Sequence, residues 1–237
     1  MIYITGDTHI PIDVGKLSTK NFKEQKSLTK DDFVIICGDF GGLWSDSDEE
    51  KYWRRWLDNK HFTTLFVDGN HENHIMLNED YGEIKFYGGY AHKISNSIYH
   101  LMRGQIYTID GYRIFTMGGA QSHDKEYRVE GIDWWSDEML SEREYKEAFT
   151  NLEANNMKVD YIISHCAPES IQAVINMNYK SYKYPSNRLT DFFENLKHSV
   201  SYKHWYFGHY HLSKSIDDKH TCLYHYIIKL GETLFRF

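Results

Sequence analysis

The chain is poor in the features that would place it outside an ordinary globular protein, and each scarcity removes a class of function. Its three cysteines, Cys37, Cys166 and Cys222, are odd in number, widely spaced and without a CxxC pair. That pattern builds no disulfide framework and predicts reduced, buried thiols. Long hydrophobic runs are missing as well. The longest uninterrupted one is Phe33-Val34-Ile35-Ile36-Cys37, far short of the roughly 20 residues a membrane helix needs. The first residues, Met1-Ile2-Tyr3-Ile4-Thr5-Gly6-Asp7, carry neither a basic stretch nor an apolar stretch of the secretory kind, so a cytoplasmic protein is expected. Basic excess is absent: 27 lysines and arginines face 34 acidic residues, for a net charge of -7. Gripping nucleic acid by charge alone is therefore disfavoured. Nucleic acid as a substrate stays open, since bound metal ions would add positive charge that composition does not register. There is no proline-rich or glycine/serine-rich linker, low-complexity tract or fixed-period repeat in the 237 residues. At roughly 100–200 residues per domain, one domain spanning 1–237 is the expectation.

What is present is a recurring unit, a short apolar run closed by polar residues. Tyr3-Ile4-Thr5 runs into Gly6-Asp7, Val34-Ile35-Ile36-Cys37 into Gly38-Asp39, and Leu65-Phe66-Val67-Asp68 into Gly69-Asn70-His71. Tyr161-Ile162-Ile163 runs into Ser164-His165, and Trp205-Tyr206-Phe207 into Gly208-His209-Tyr210-His211. Runs so short and so rich in β-branched and aromatic residues predict buried strands. Helical segments lie between them. Ser47 with Glu50 forms a capping-box pattern before Tyr52, Trp53, Trp56 and Leu57, and Ser141 with Glu144 forms another before Tyr145, Ala148, Phe149 and Leu152. Leu189, Phe192, Phe193 and Leu196 make a third apolar stripe. Residues 84–117 change to short strands, with 106–109 and 112–117 joined by Asp110-Gly111, a strong hairpin signal. Residues 222–237 are expected to form a further strand pair turning at Gly231-Glu232. The alternation predicts an α/β protein of layered sheets flanked by helices.

Ligands of open α/β sheets gather beyond the carboxyl ends of strands, where all of these polar closures would fall. Asp7, His9, Asp39, Asn70, His71, His165, His209 and His211 would then converge. Carboxylate, imidazole and amide oxygen suit manganese, iron or zinc, and the set is larger than one ion needs, so two divalent ions are expected, manganese first.

Gly6-Asp7-Thr8-His9, Gly38-Asp39, Gly69-Asn70-His71-Glu72, Ser164-His165 and Gly208-His209-Tyr210-His211 together resemble the ordered motifs of the calcineurin-like metallophosphoesterase superfamily. The resemblance covers residues 6–211. It implies a four-layer sandwich of two mixed sheets between helices. Residue by residue it implies that Asp7, His9 and His211 hold one metal, that Asn70, His165 and His209 hold the other, and that Asp39 bridges them. It gives His71 the part of the histidine facing the leaving group, a proton donor or charge stabiliser. Two such cations share a water, lower its pKa and aim the resulting hydroxide at phosphorus. Ile10-Pro11 stands where many relatives continue with glycine, and Gly38-Asp39-Phe40-Gly41-Gly42 lacks the Asp-Arg-Gly continuation of protein serine/threonine phosphatases. That departure argues against a phosphoprotein phosphatase of that type.

The expected activity is hydrolysis of a phosphate monoester or diester, on a nucleotide or a small phosphorylated molecule. A nuclease or cyclic-nucleotide phosphodiesterase is the enzymatic alternative, and a non-catalytic metal-binding scaffold the other. In residues 121–138, Ser122, His123, Lys125, Arg128, Trp134 and Trp135 are candidates to shape the pocket. Asn70 and Arg128 are the candidates for contact with the substrate, although solvated charges and core-anchored tryptophans are the simpler account of that loop. The remaining histidines, His61, His74, His100, His123 and His225 among them, are expected to be surface or packing residues.

Overall fold

The computed structural model describes residues 1–179 and 183–234. Its organising feature is a pair of mixed sheets with the same plan. The first has the order β13-β1-β2-β3-β6-β5-β4, built from β1 (Ile2–Thr5), β2 (Phe33–Cys37), β3 (Thr63–Val67), β4 (Glu83–Phe86), β5 (Gly89–Lys93), β6 (Ile98–Leu101) and β13 (Ile228–Lys229). In it β1, β2, β3 and β6 run parallel, and antiparallel strands close both edges. The second has the order β11-β12-β10-β9-β8-β7, from β7 (Gln105–Ile109), β8 (Tyr112–Met117), β9 (Tyr161–Ser164), β10 (His204–Phe207), β11 (Lys214–Ser215) and β12 (His220–Cys222). There β8, β9, β10 and β12 form the parallel centre.

Strand alternation sorts the side chains into layers. On β2, Phe33, Ile35 and Cys37 join Leu65, Val67, Ile163 and Tyr206 in a core between the two sheets. Val34 and Ile36 point the other way, onto a core with Leu57 of α1 (Asp48–Asp58) and Leu77 of α2 (His74–Glu79). The outer face of the second sheet packs Phe115, Ile162 and Phe207 against α3 (Glu142–Ala154), α4 (Glu169–Asn178) and α5 (Arg188–Ser199). Helices, sheet, sheet and helices are the four expected layers. Burial on both faces explains why the central strands read as unbroken apolar runs.

The local signals differ in how they act. Asp110 and Gly111 both adopt positive φ between β7 and β8, as the twist of a tight hairpin demands. Ser141 and Glu144 close a reciprocal capping box on α3. Ser47 caps α1 through Glu50 N, but the Glu50 carboxylate accepts from Trp44 N and Ser45 N and so leaves the box half made. Tyr52 and Phe149 lie at the exposed margins of their helical stripes. Among the described residues, 222–234 do not form the expected strand pair. β12 belongs to the second sheet, while β13 crosses to pair antiparallel with β1 in the first, with Leu230 N donating to Ile2 O. The free edge of β1 is the stronger partner because it offers unsatisfied backbone groups. Phe235, Arg236 and Phe237 lie outside the described residues. All three cysteines are buried and unpaired. No helix among the described residues is long and apolar enough to cross a membrane.

Candidate metal centre

Five parallel strands from both sheets end on one locus. β1, β2 and β3 deliver Asp7, Asp39 and Asn70, and β9 and β10 deliver His165 and His209. The backbone there is held in an unusual state: His9, Asp39, His209 and His211 all have φ between 34° and 66°. Left-handed residues other than glycine cost energy and gather where function requires them. Glycines allow the approach of the turns. A Cβ on Gly69 would sit 2.1 Å from Asp39 Oδ1, and one on Gly208 would sit 2.1 Å from Asp7 Oδ1.

Two groups of side chains bring their ligand atoms within 4.8 Å of one another: Asp7, His9 and His211, and His9, Asp39 and His71. Asp39 faces both ways. Its Oδ2 lies 3.2 Å from His9 Nε2 and its Oδ1 lies 3.2 Å from His165 Nε2. His165 Nε2 is also 3.3 Å from Asn70 Oδ1, and His211 Nε2 is 3.4 Å from Asp7 Oδ2. Ligands each about 2.1 Å from one ion, at tetrahedral or octahedral angles, stand roughly 3.0–3.4 Å apart. The observed spacings are those of coordination edges. His209 packs its ring against His165, with centroids 4.9 Å apart, but belongs to neither convergent group. His71 does belong to one, although sequence reasoning kept it out of the ligand set.

The chemistry of the donors fits cations. Asp7 Oδ2 is fully buried and has no hydrogen-bond partner. Burial disfavours charge on His9 and His165, yet Asp39 and Asp7 raise His9 to about 9 and His165 to about 10. In the bare chain two protonated imidazoles answer the two carboxylates, and divalent ions would displace those protons. Asp39 is held well below the usual carboxylate range, against its burial, by His165 and His71. His209 is pushed down to about 3 by burial and then by His165. His71 is lowered by burial; Asp39 opposes the shift, and His9 and Arg128 add to it.

The ring tautomers are set for metal as well. His165 Nδ1 donates to Cys37 O at 2.8 Å, and His9 Nδ1 donates to Asp13 Oδ2 at 2.9 Å, leaving Nε2 of each free to ligate.

A family model for calcineurin-like phosphoesterase matches residues 1–213. The chain belongs to this family. It is therefore a metal-dependent hydrolase of phosphoric esters. No curated protein matches it.

Several supports of the phosphoesterase centre escape a reading of the sequence. Asp13, four residues after His9, orients that ring and also accepts from Tyr224 Oη at 2.9 Å. Half-buried Lys16 donates to the carbonyls of Gly6, Asp7 and Tyr224, clamping the β1 loop to the chain after β12. Glu72, quoted within a motif but given no part, is fully buried. It accepts from Phe40 N and Gly69 N, both at 2.6 Å, and so ties the Asp39 loop to the Asn70 loop. Burial, then Asp39, raises it to about 8. Ser122 Oγ accepts from Asn70 Nδ2 at 3.3 Å and donates to buried Glu138, which turns the Asn70 oxygen toward His165. None of these contacts has a periodic signature. The i, i+4 spacing of His9 and Asp13 is the one signal that was readable.

The loop 121–138 divides between anchoring and function. Trp135 is buried edge-on against Trp44, with centroids 4.8 Å apart, so it anchors the loop. Trp44, which the sequence did not single out, lies 6.3 Å from His71. Arg128 is held by Asp124 and the Asp133 carbonyl, near enough to His71 to affect its charge.

Proposed function

We propose that this phosphoesterase works with a pair of divalent ions, manganese in the first instance, that share Asp39. One would be held by Asp7, His9 and His211 and the other by Asn70, His165 and His209. The observation that carries the reading is the division of the Asp39 carboxylate, one oxygen toward His9 and the other toward His165. When bound, the ions supply Lewis acidity to the phosphoryl oxygens and an activated water. The chain does the rest. Asp13 and the Cys37 carbonyl hold the Nδ1 protons of His9 and His165, so that Nε2 is the atom that would give up its proton and ligate, and the Asn70 amide is fixed through Ser122. His71 sits at the mouth beside Trp44 and contributes at the departing oxygen. Burial lowers His71 while Asp39 opposes the shift, and the negative charge of a bound substrate would favour the protonated ring that this role needs.

The substrate is a phosphate ester with a flat leaving group, a nucleotide being the reading favoured here. Trp44 supports this, since a ring beside His71 is a stacking platform for a base. Arg128 is the candidate for a phosphate oxygen.

The test is manganese-supported hydrolysis of bis-p-nitrophenyl phosphate and p-nitrophenyl phosphate by the wild-type chain and by Asp39→Asn. Turnover lost in the variant is expected. Equal turnover with equal metal content would reject the shared carboxylate. Comparing a nucleoside monophosphate with glycerol phosphate, in wild type and Trp44→Ala, tests the platform. The variant is expected to raise KM for the nucleotide alone.

A further inference from the structure

Tyr224 lies beyond residues 1–213, the stretch matched by the family model, yet it touches two of the side chains grouped at the metal centre. Its ring stacks on His211, with centroids 4.5 Å apart and planes 9° from parallel, and meets His9 edge-on at 6.4 Å. Its hydroxyl donates to Asp13 Oδ2 at 2.9 Å, the same oxygen that accepts from His9 Nδ1 at 2.9 Å. His9 and His211 complete the circuit, edge to face with centroids 5.0 Å apart. One residue thus reaches both imidazoles, His211 through its ring face and His9 through a shared carboxylate oxygen.

His211 has the greater need of such support. Its side chain is 48% exposed, against 14% for His9, and His165 is fully buried. The χ2 torsion of histidine is broad, so a ring half open to water is not aimed by its own rotamer preference. A parallel partner at stacking distance removes that freedom, because turning the imidazole would lift it off the phenol face. In the stacked position His211 Nε2 lies 3.4 Å from Asp7 Oδ2.

Tyr224 is itself held in place from both sheets. Leu223 N donates to Phe207 O at 2.8 Å and His225 N to Ser213 Oγ at 2.8 Å, while Thr5 Oγ1 donates to Tyr226 O at 2.9 Å. Lys16 donates to Tyr224 O and places its Nζ over the same ring. Gly6 lets the segment come this close, since a Cβ there would lie 1.8 Å from Leu223 O. The stack is therefore carried by tethered backbone, and the tyrosine ring, half-buried, can be replaced without opening a core.

We propose that Tyr224 is a positioning residue for the ion of Asp7, His9 and His211, presetting both imidazoles of that set together. The proposal rests on the reading of those three residues as one ion's ligands. The other set has supports of its own, the Cys37 carbonyl for His165 and Ser122 for Asn70, so the influence of Tyr224 is confined to one ion.

Calorimetric titration of the intact chain with manganese, wild type against Tyr224→Phe and Tyr224→Leu, tests this without any turnover. Tyr224→Leu is expected to weaken one ion about 10- to 100-fold and to leave the other unchanged. Tyr224→Phe keeps the stack and loses only the hydroxyl, so it should fall in between. With Asp13→Ala already present, Tyr224→Phe should cost nothing further, because the hydroxyl acts through Asp13. A second readout needs no metal. The ring-proton resonances of His211, assigned by their absence in His211→Ala, lie over the Tyr224 face and should move downfield in Tyr224→Leu but hold their place in Tyr224→Phe. Both ions weakened alike, or neither weakened, would overturn the proposal. So would Tyr224→Phe binding no more tightly than Tyr224→Leu, a Tyr224→Phe loss that persists on Asp13→Ala, or His211 resonances that ignore Tyr224→Leu. A wild type that binds fewer than two ions would instead refute the ion pair of the proposed function, and the His211 resonances would then decide the role of Tyr224 alone.

Discussion

Replacing Asp39 by asparagine has an outcome that the geometry makes unequal for the two ions. The carboxylate presents Oδ1 to His165 Nε2 at 3.2 Å and also accepts there from His71 N at 2.9 Å. Oδ2 meets His9 Nε2 at 3.2 Å. An amide has one oxygen, and its orientation is decided by the His71 N–H. Placing NH2 at the Oδ1 position sets two donors against each other in a buried site, a cost of about 1–3 kcal/mol. The amide oxygen therefore takes the Oδ1 position and the NH2 takes the other. There it finds His9, which without the Asp39 charge keeps its one proton on Nδ1 toward Asp13 and turns an Nε2 lone pair to the amide, and a new hydrogen bond ties that ring down. The Asp7, His9 and His211 side loses a carboxylate and the use of an imidazole together, whereas the Asn70 and His165 side keeps its oxygen. Metal affinity on the first side should fall at least about 100-fold, or about 2.7 kcal/mol, and turnover by a factor on the order of 10³. Metal analysis at controlled free manganese should give a stoichiometry falling from two to one. The residual ion should be lost on adding His165→Ala but kept on adding His211→Ala. Two ions retained at wild-type affinity, or the residual ion surviving His165→Ala, would refute the reasoning.

Asp13→Ala leaves His9 free to rotate and to change tautomer. It should weaken manganese binding about 10- to 100-fold with little change in melting temperature of the metal-free chain, as a metal titration would read. Gly69→Ala forces a methyl against Asp39 Oδ1. The variant should lose bound metal under conditions where circular dichroism still reports a folded chain, and full metal content would contradict the packing. Acid should destabilise the metal-free fold through its buried histidines. Burial depresses His92 and His204 to about 4 and His74 to about 3, against an unfolded value near 6.5. Their contribution is intact above pH 6.5 and fades as pH falls toward those values, because the unfolded chain takes up protons first. Each is worth up to about 2 kcal/mol by pH 5, so urea midpoints should drop steadily from pH 7 to pH 5, and His204→Phe should flatten the slope if it folds.

The parts of this centre that could be read from sequence are those written in short range. A strand ending in Gly-Asp or Gly-Asn-His announces both its burial and its chemistry, and strands ending in the same kind of residue announce a common meeting place. Pairing between distant segments is not written in this way. Nothing in Ile228-Lys229 marks it as a partner for β1 rather than for β12, since a strand of two residues has no face pattern to match. Ser122 and Glu138 likewise read as loop residues until the fold brings them behind Asn70. The histidines expected to be packing residues are so in part. His61 and His225 are exposed, but His74, His92 and His100 gather with Asp68 and Arg103 around a cavity.

Asp39 and His165 come from different sheets, and the atoms they turn toward each other meet across the junction of the two layers. A cation held in common by the two, as proposed, would cross-link halves of the molecule that otherwise adhere through an apolar core and a few hydrogen bonds such as that from His165 Nδ1 to Cys37 O. Metal occupancy and the cohesion of the layers are then one equilibrium seen from two sides. Starving the protein of metal would be felt as a loosening of the joint as much as a loss of chemistry, and a chain still being synthesised could hold no complete centre until the strand carrying His209 had joined the second sheet.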